Sequence, residues 1–319
     1  MTFDTAPIVA RVVRGDAVES VHHGIAAVVD PTGAVIDHVG DPMAAIFARS
    51  ANKPLQALAM LHCGLELPSD HLALACSSHS GESDHVAGVR EMLGAHGFSE
   101  ADLQNTAAQP WDEAARDEWV VAGHEKASVA QNCSGKHAAM LATCRAADWD
   151  HATYRDPDHP LQQRITEVLA EAYGEEILHV GVDGCGAPAH QSRLVGLARA
   201  FGLLARPEDD HRARIADAMR THPHLVAGTG RLVTTFMEAV PGAIAKDGAE
   251  GVLAIGLPDG HGVAVKILDG NQRATGVLAA ALLRRVGGVD AEALERLGHW
   301  PVLGHGEPVG RIVSALGAR

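Results

Sequence analysis

Strand-like runs stand at both ends of this chain, and helix-like runs fill its middle. Each terminal group consists of short segments rich in Val, Ile and Ala, separated by turn sequences such as Asp30-Pro31-Thr32-Gly33 and Asp259-Gly260. The predicted strands cover residues 7–14, 24–29 and 34–39, and then 243–245, 252–255 and 263–268. This order predicts that the two ends of the chain meet in one antiparallel sheet.

Apolar residues spaced three and four apart predict helices between these strands. The candidate helices cover residues 50–62, 84–97, 112–122, 134–147, 161–173, 190–201, 209–220 and 230–239, with two more at 271–286 and 291–297. We expect an α/β (α+β) fold in which helices cover the sheet. Residues 84–240 would form an inserted, mainly helical lobe of a single domain spanning 1–319, with a ligand cleft beside the sheet.

The charge and the aromatic content restrict the classes of partner. The chain of 319 residues has 40 acidic and 26 basic side chains, a formal net charge of −14 and 3% aromatic residues. Nucleic acids and anionic membranes attract positive surfaces, and single strands also need aromatic platforms for stacking, so we expect neither partner. Without a signal peptide or a long apolar run, and with five cysteines, we expect a cytoplasmic protein with reduced thiols.

Lysine is rare, since only five of the 26 basic residues are Lys and the rest are Arg. An amine can lose its proton when it is removed from water, whereas a guanidinium cannot. One of the five follows a serine in Ser50-Ala51-Asn52-Lys53, at a predicted helix start, where residues three apart share a face. A neutral Lys53 could then activate the Ser50 hydroxyl as a nucleophile. The alternative is a helix-capping serine followed by a solvated lysine.

A polar loop and a strand lysine accompany the Ser-x-x-Lys sequence. Ser78 lies in the loop of residues 77–83, and Lys266 lies in the run 263–268. Serine β-lactamases combine the same three elements in the same order. The alternatives are a turn without chemical function and a lysine on an edge strand.

Two cysteines in polar surroundings form a further candidate site. Cys133 is followed by Lys136 in Cys133-Ser134-Gly135-Lys136-His137, and Cys185 lies in a glycine-flanked turn. Two thiolates with a nearby Lys or His can bind a soft divalent cation such as zinc. The alternative is a pair of reduced cysteines in the core. The 20 histidines, including His222-Pro223-His224, fit no metal-binding spacing, and we expect them to be surface or structural residues.

Together these motifs resemble the rhizobial-type L-asparaginases of the asparaginase II family. The segments that carry the resemblance are Arg49-Ser50-Ala51-Asn52-Lys53-Pro54, Cys76-Ser77-Ser78-His79-Ser80, Asn132-Cys133-Ser134-Gly135-Lys136-His137, Asp183-Gly184-Cys185, Val226-Ala227-Gly228-Thr229-Gly230-Arg231 and Val265-Lys266-Ile267-Leu268-Asp269-Gly270. The resemblance implies a fold like that of serine β-lactamases and glutaminases, a homodimer, and hydrolysis of L-asparagine to L-aspartate and ammonia.

The resemblance also implies roles for individual residues. Two Ser–Lys pairs fall on Ser50 with Lys53 and on Ser78 with Lys266. A zinc site, structural or substrate-orienting, falls on Cys133, Lys136 and Cys185. Three further residues, Arg49, His137 and Asp183, match positions near the substrate.

These roles predict acyl transfer through a serine ester. Two neighbouring ammonium groups repel each other, so at least one lysine should have a lowered pKa and act as the base. The helix-start position favours Ser50 as the nucleophile, while Ser78 either relays a proton or attacks. Two other functions remain open: a Ser–Lys hydrolase of another amide, such as glutamine, a β-lactam or a peptide, and a non-catalytic protein that binds an amino acid.

Overall fold

The computed structural model describes residues 5–317, which divide into two compact units. The sheet unit contains the chain up to Ala51, Ser192–Arg206, and the chain from Thr235 onward. The helical unit contains Asn52–Gln191 and Pro207–Thr234. Each unit has its own buried apolar core.

The secondary structure follows the predicted pattern of strands, helices and strands. The strands are β1 Ile8–Arg14, β2 Ala17–Val29, β3 Val35–Val39, β4 Ala45–Phe47, β5 His179–Val182, β6 Pro188–Arg193, β7 Ile244–Gly248, β8 Val252–Gly256, β9 Gly262–Ile267, β10 Pro301–Gly304 and β11 Glu307–Ser314. The helices are α1 Lys53–His62, α2 Ser69–Ala75, α3 Ser83–Ala95, α4 Glu113–Val121, α5 Ser134–Ala146, α6 Pro160–Tyr173, α7 Leu194–Ala205, α8 Asp210–Thr221, α9 Pro223–Val226, α10 Leu232–Ala239, α11 Thr275–Val286 and α12 Ala291–Gly298.

An antiparallel sheet of eight strands forms the sheet unit. Its order is β10-β11-β1-β2-β9-β8-β7, with β3 paired to β2. Strand β1 pairs with β11 near the carboxyl end of the chain, and Ile25 of β2 lies opposite Lys266 of β9. The prediction of one antiparallel sheet built from both ends of the chain and covered by helices is therefore confirmed.

Helix α7 approaches the sheet so closely that glycine is required at the contact. A Cβ on Gly262 of β9 would lie 1.9 Å from the carbonyl oxygen of Ala198, and one on Gly256 of β8 would lie 2.1 Å from that of Phe201. Backbone therefore packs directly on backbone where α7 crosses β8 and β9. This contact positions the strand that carries Lys266.

Two regions differ from the prediction. The predicted helix at 190–201 begins as strand β6 before α7 starts at Leu194. Strands β10 and β11 were not predicted, because only one of their residues, Ile312, is buried and the sequence shows no clear apolar alternation. No helix among residues 5–317 is both long enough and apolar enough to cross a membrane.

The helical unit contains a second close backbone contact, between α5 and the end of α2. A Cβ on Gly135 would lie 2.3 Å from the carbonyl oxygen of Leu74. We expect Gly135→Ala to lower the free energy of unfolding by about 2 kcal/mol, because the backbone of α2 cannot retreat without repacking. Urea unfolding measures this change.

Gly94 provides the matched control for that substitution. It lies in helix α3 of the same unit, and an added Cβ would meet nothing within 4 Å. Gly94→Ala should therefore raise the free energy of unfolding by about 0.5–1 kcal/mol, because alanine loses less backbone entropy in a helix. Equal effects of the two substitutions would contradict the assigned contact.

Candidate active site

The turn that carries Ser50 has an unusual backbone. Residues Arg49–Asn52 form a single 3-10 turn, and Arg49 has a φ of 53°, in the left-handed region that non-glycine residues rarely adopt. Strand β7 ends against this turn, since a Cβ on Gly248 would lie 2.3 Å from the carbonyl oxygen of Ala48 and 3.1 Å from the amide of Ala51. The backbone on both sides of the half-buried Ser50 is therefore fixed by close contact.

Lys266 also belongs to the sheet unit and is half-buried on β9. Its Nζ donates a hydrogen bond to the carbonyl oxygen of Glu250. Burial lowers the pKa of Lys266, and the positive charge of Arg49 adds to this effect, while the carboxylates of Glu250 and Asp269 oppose it. A lowered pKa increases the fraction of neutral amine, the form that can accept a proton.

Lys53 and Ser78 come together inside the helical unit. Lys53 is the first residue of α1 and is 1% exposed, and Ser78 is 3% exposed. Nζ of Lys53 lies 3.1 Å from Ser78 Oγ and 3.3 Å from the carbonyl oxygen of Asn132, and it also donates to the carbonyl oxygen of Ser77. The two carbonyls can only accept, so they hold two N–H bonds and leave the third position on the nitrogen facing the serine hydroxyl.

The loop that carries Ser78 is held by its main chain. The amide of Ser78 donates to the carbonyl oxygen of Val226 at 3.0 Å, and Ser80 Oγ donates to that of Ala227 at 2.9 Å. Ser77 Oγ donates back to the carbonyl oxygen of Leu74 at 2.7 Å. These bonds orient the Ser78 hydroxyl toward Lys53 before any ligand binds.

His79, next to Ser78, is a neutral structural residue. The Ser134 hydroxyl donates to the carbonyl oxygen of Val129, so it accepts a hydrogen bond from Nε2 of His79 at 2.8 Å. The amide of Gly81 donates to Nδ1 of the same ring. Burial places the pKa of His79 well below its usual value, and the nearby His85 and Lys53 lower it further. The ring therefore cross-links the Ser78 loop to α5 without carrying charge.

The helical unit also brings together Cys133, Lys136 and Cys185. All three are buried, and Lys136 Nζ donates to Cys185 Sγ at 3.2 Å. The interaction with Cys133 and the charge of Lys136 lower the pKa of Cys185, whereas the same interaction and burial raise that of Cys133. Although burial opposes it, the sulfur charge raises the pKa of Lys136. These shifts favour a thiolate on Cys185 paired with an ammonium on Lys136.

His137 is fully buried in the helical unit. The amide of Gln104 donates to the Tyr154 hydroxyl, which in turn donates to Nδ1 of His137 at 2.8 Å. Burial lowers the pKa of His137 to about 4, although the nearby sulfur of Cys185 opposes this shift. Asp183 is half-buried in the turn before Cys185, and its charge acts on Lys136.

The predicted site residues thus fall into three groups. Arg49, Ser50 and Lys266 lie in the sheet unit. The helical unit contains Lys53 with Ser78, and separately the group Cys133, Lys136, His137, Cys185 and Asp183. Sequence reasoning missed the carbonyl of Asn132 and the hydroxyl of Tyr154, because a main-chain acceptor and a lone tyrosine have no sequence signature.

The comparison with protein families agrees with the chemistry of this site. A buried amine within hydrogen-bond distance of a serine hydroxyl can serve as the base for a nucleophilic attack. The family described as L-asparaginase II matches residues 10–314. The chain belongs to the L-asparaginase II family and is an amidohydrolase.

Similarity to solved structures is distant. The chain is similar to a β-lactamase from Mycobacterium bovis, with 16% identity and a TM-score of 0.46 over 82% of this chain and 94% of that one. It is also similar to Mglu in its native form in the presence of 4.3 M NaCl, with 16% identity and a TM-score of 0.45 over 82% of this chain. It spans 61% of that Mglu chain, less than two thirds of its length. No curated protein matches the sequence.

Proposed function

We propose that this amidohydrolase converts L-asparagine to L-aspartate and ammonia through a serine ester. The observation that carries the proposal is the buried contact of 3.1 Å between Lys53 Nζ and Ser78 Oγ. The family membership supports asparagine as the substrate. The small size and single side-chain amide of asparagine suit a reaction that needs one nucleophile and one proton relay.

In the first step a serine hydroxyl attacks the side-chain amide carbon of asparagine. The Oγ–C bond forms, the C–N bond breaks, and the hydroxyl proton passes through a lysine amine to the leaving nitrogen, which departs as ammonia. Water then attacks the β-aspartyl ester, and its proton returns to the serine oxygen as aspartate leaves. Ser50 is the proposed nucleophile, and Lys53 with Ser78 is the proposed proton-transfer pair.

The surroundings of Lys53 support this assignment. When the amine is neutral, its two N–H bonds go to the carbonyls of Ser77 and Asn132, and its lone pair faces the Ser78 hydroxyl. When the amine gains a proton, the same position becomes an N–H donor to Oγ. Lys53 can therefore take up and release a proton without moving its side chain.

Lys266 is proposed to take part in proton transfer, and Arg49 is proposed to bind the negatively charged carboxylate of the substrate. The lowered pKa of Lys266 increases the fraction of neutral amine that can share in proton transfer. The Arg49 guanidinium, held by the strained turn beside Ser50, is suited to the substrate carboxylate, since its planar donors match two carboxylate oxygens.

The donor set of the thiol cluster fits zinc. Two buried sulfurs and a buried amine supply the ligands, and the lowered pKa of Cys185 favours the thiolate that binds zinc. Zinc would be held by Cys133, Lys136 and Cys185, where it would supply charge that fixes the cluster and orients substrate. We propose zinc as this cofactor, and a homodimer in the cytoplasm as the state of the protein.

Ammonia release by the purified protein tests the proposed substrate. We expect ammonia from L-asparagine in excess over L-glutamine, and no opening of a chromogenic β-lactam ring. Assays with and without added zinc, on the wild type and on Cys185→Ser, would show whether the metal contributes. Ammonia from glutamine alone, or asparagine binding in calorimetry without turnover, would exclude the proposed function.

A further inference from the structure

A second group of ligand-type side chains lies away from the thiol cluster. One ligand atom from each of Glu82, His85 and His224 lies within 4.8 Å of the other two. Glu82 immediately precedes helix α3, His85 lies in its first turn, and His224 lies in α9. All three belong to the helical unit.

His85 presents a buried lone pair to this group. Its side chain is fully buried, and Nε2 donates to the carbonyl oxygen of His224 at 3.1 Å. Because a carbonyl only accepts, the proton of the neutral ring lies on Nε2 and the lone pair on Nδ1. Within residues 5–317, Nδ1 has no hydrogen-bond partner, and it lies 3.4 Å from Asp84 Oδ1. A positively charged ligand would stabilise both this buried lone pair and the neighbouring carboxylate.

The other two side chains are held in orientations suited to metal binding. His224 Nε2 lies 2.8 Å from Asp84 Oδ2, which leaves Nδ1 of His224 as the free acceptor. The Glu82 carboxylate accepts hydrogen bonds from the amide and the hydroxyl of Thr229, at 2.9 and 2.7 Å. Metal-binding histidines commonly donate their second ring nitrogen to a carboxylate or a backbone carbonyl, as both rings do here.

We propose that Glu82, His85 and His224 bind a divalent transition-metal ion, for which zinc suits the ligand set of two imidazoles and one carboxylate. Metal–ligand bonds of about 2.1 Å span at most about 4.2 Å between ligands, so binding draws the three side chains slightly together. Burial also lowers the pKa of His85, which keeps the ring neutral and able to bind.

The ion would be structural and would act on the loop that carries Ser78. The segment containing His224 continues into Val226 and Ala227, whose carbonyls accept from the Ser78 amide and from Ser80 Oγ. Glu82 and His85 follow the Ser78 loop in the sequence, and His224 precedes Val226 and Ala227. A metal ion bound to all three residues would therefore cross-link the two segments that these hydrogen bonds connect. Its loss would loosen the Ser78 loop without removing a reacting group.

Cobalt distinguishes this site from the thiol cluster. Titration of the metal-free full-length protein with Co²⁺ should reveal one equivalent without the near-ultraviolet charge-transfer absorption of cobalt–thiolate bonds. We expect Glu82→Gln and His224→Gln each to weaken this equivalent by at least about 100-fold. It should be retained in Cys185→Ser. Zinc should raise the melting temperature of the wild type more than that of either variant.

His222→Gln is the matched control, because His222 is a nearby imidazole outside the group. It should bind the thiolate-free cobalt as the wild type does, with circular dichroism confirming that every variant is folded. The proposal is overturned if the wild type binds no thiolate-free cobalt. It is also overturned if folded Glu82→Gln and His224→Gln both bind this cobalt with wild-type affinity.

Discussion

We expect Lys53→Met to lower kcat for the proposed asparagine hydrolysis by about 10³-fold, because the amine proposed to carry the proton of Ser78 is lost. Methionine is close to lysine in length and fills the same buried space. It leaves the carbonyls of Ser77 and Asn132 without their donor, so we also expect a loss of about 1–3 kcal/mol in the free energy of unfolding. Steady-state ammonia release and urea unfolding measure the two effects separately.

Lys126→Met is the control for this substitution, because Lys126 is exposed in the same unit. It should leave kcat within about twofold, as expected for a surface change. Retention by Lys53→Met of more than a tenth of the wild-type kcat would remove Lys53 from the proton path. Acid-quenched digests of the wild type, searched for an aspartyl ester on the peptides of Ser50 and Ser78, would identify the attacking hydroxyl.

Acid should destabilise the fold well before the carboxylates titrate. Three of the buried histidines with lowered pKa values are His79, His137 and His190; burial is the chief cause, and the pKa values of His137 and His190 fall to about 4. An unfolded histidine titrates near pH 6.5. Below that pH the unfolded state binds more protons than the folded state, so the stability present above pH 6.5 is lost as the pH falls toward 4. We expect a loss of about 4 kcal/mol between pH 7.5 and 5.5 for the three rings together.

Urea unfolding at the two pH values, in the presence of EDTA, measures this loss. His190→Gln should reduce the loss by about 1.4 kcal/mol, because one buried ring no longer titrates on unfolding. Glutamine can still donate to Thr166 Oγ1, the partner of His190 Nε2 at 2.9 Å. His151→Gln, an exposed histidine of the same unit, should leave the loss unchanged. The same loss in both variants would show that His190 titrates normally in the folded state.

The sheet could be predicted from sequence because its central strands are buried and apolar. Apart from the half-buried Lys266, strands β8 and β9 are buried runs of Val, Ile, Leu, Ala and Gly bounded by turn residues, and those patterns are local. Strand β6 is mostly polar and continues into α7 without a break, so its residues were assigned to a helix. The spacing of apolar residues along the sequence does not reveal this change from strand to helix.

The sequence identified residues of the candidate site but did not predict which of them are in contact. The motifs identified Lys53 and Ser78, but spacing along a helix links Lys53 with Ser50 and says nothing about Ser78, 25 residues away. The contact between Lys53 and Ser78 depends on how α1 and α2 pack. The Glu82, His85 and His224 group was likewise invisible, because 139 residues separate its two histidines.

The glycines at the crossing of α7 with β8 and β9 have a consequence for laboratory evolution of the substrate range. At Gly256 and Gly262 any side chain would collide with main-chain oxygen, so no compensating change elsewhere can restore the fit. Saturation libraries should therefore show these positions as intolerant of every other residue. A change in substrate specificity is best sought by mutating loop residues, while Gly256 and Gly262 are left unchanged.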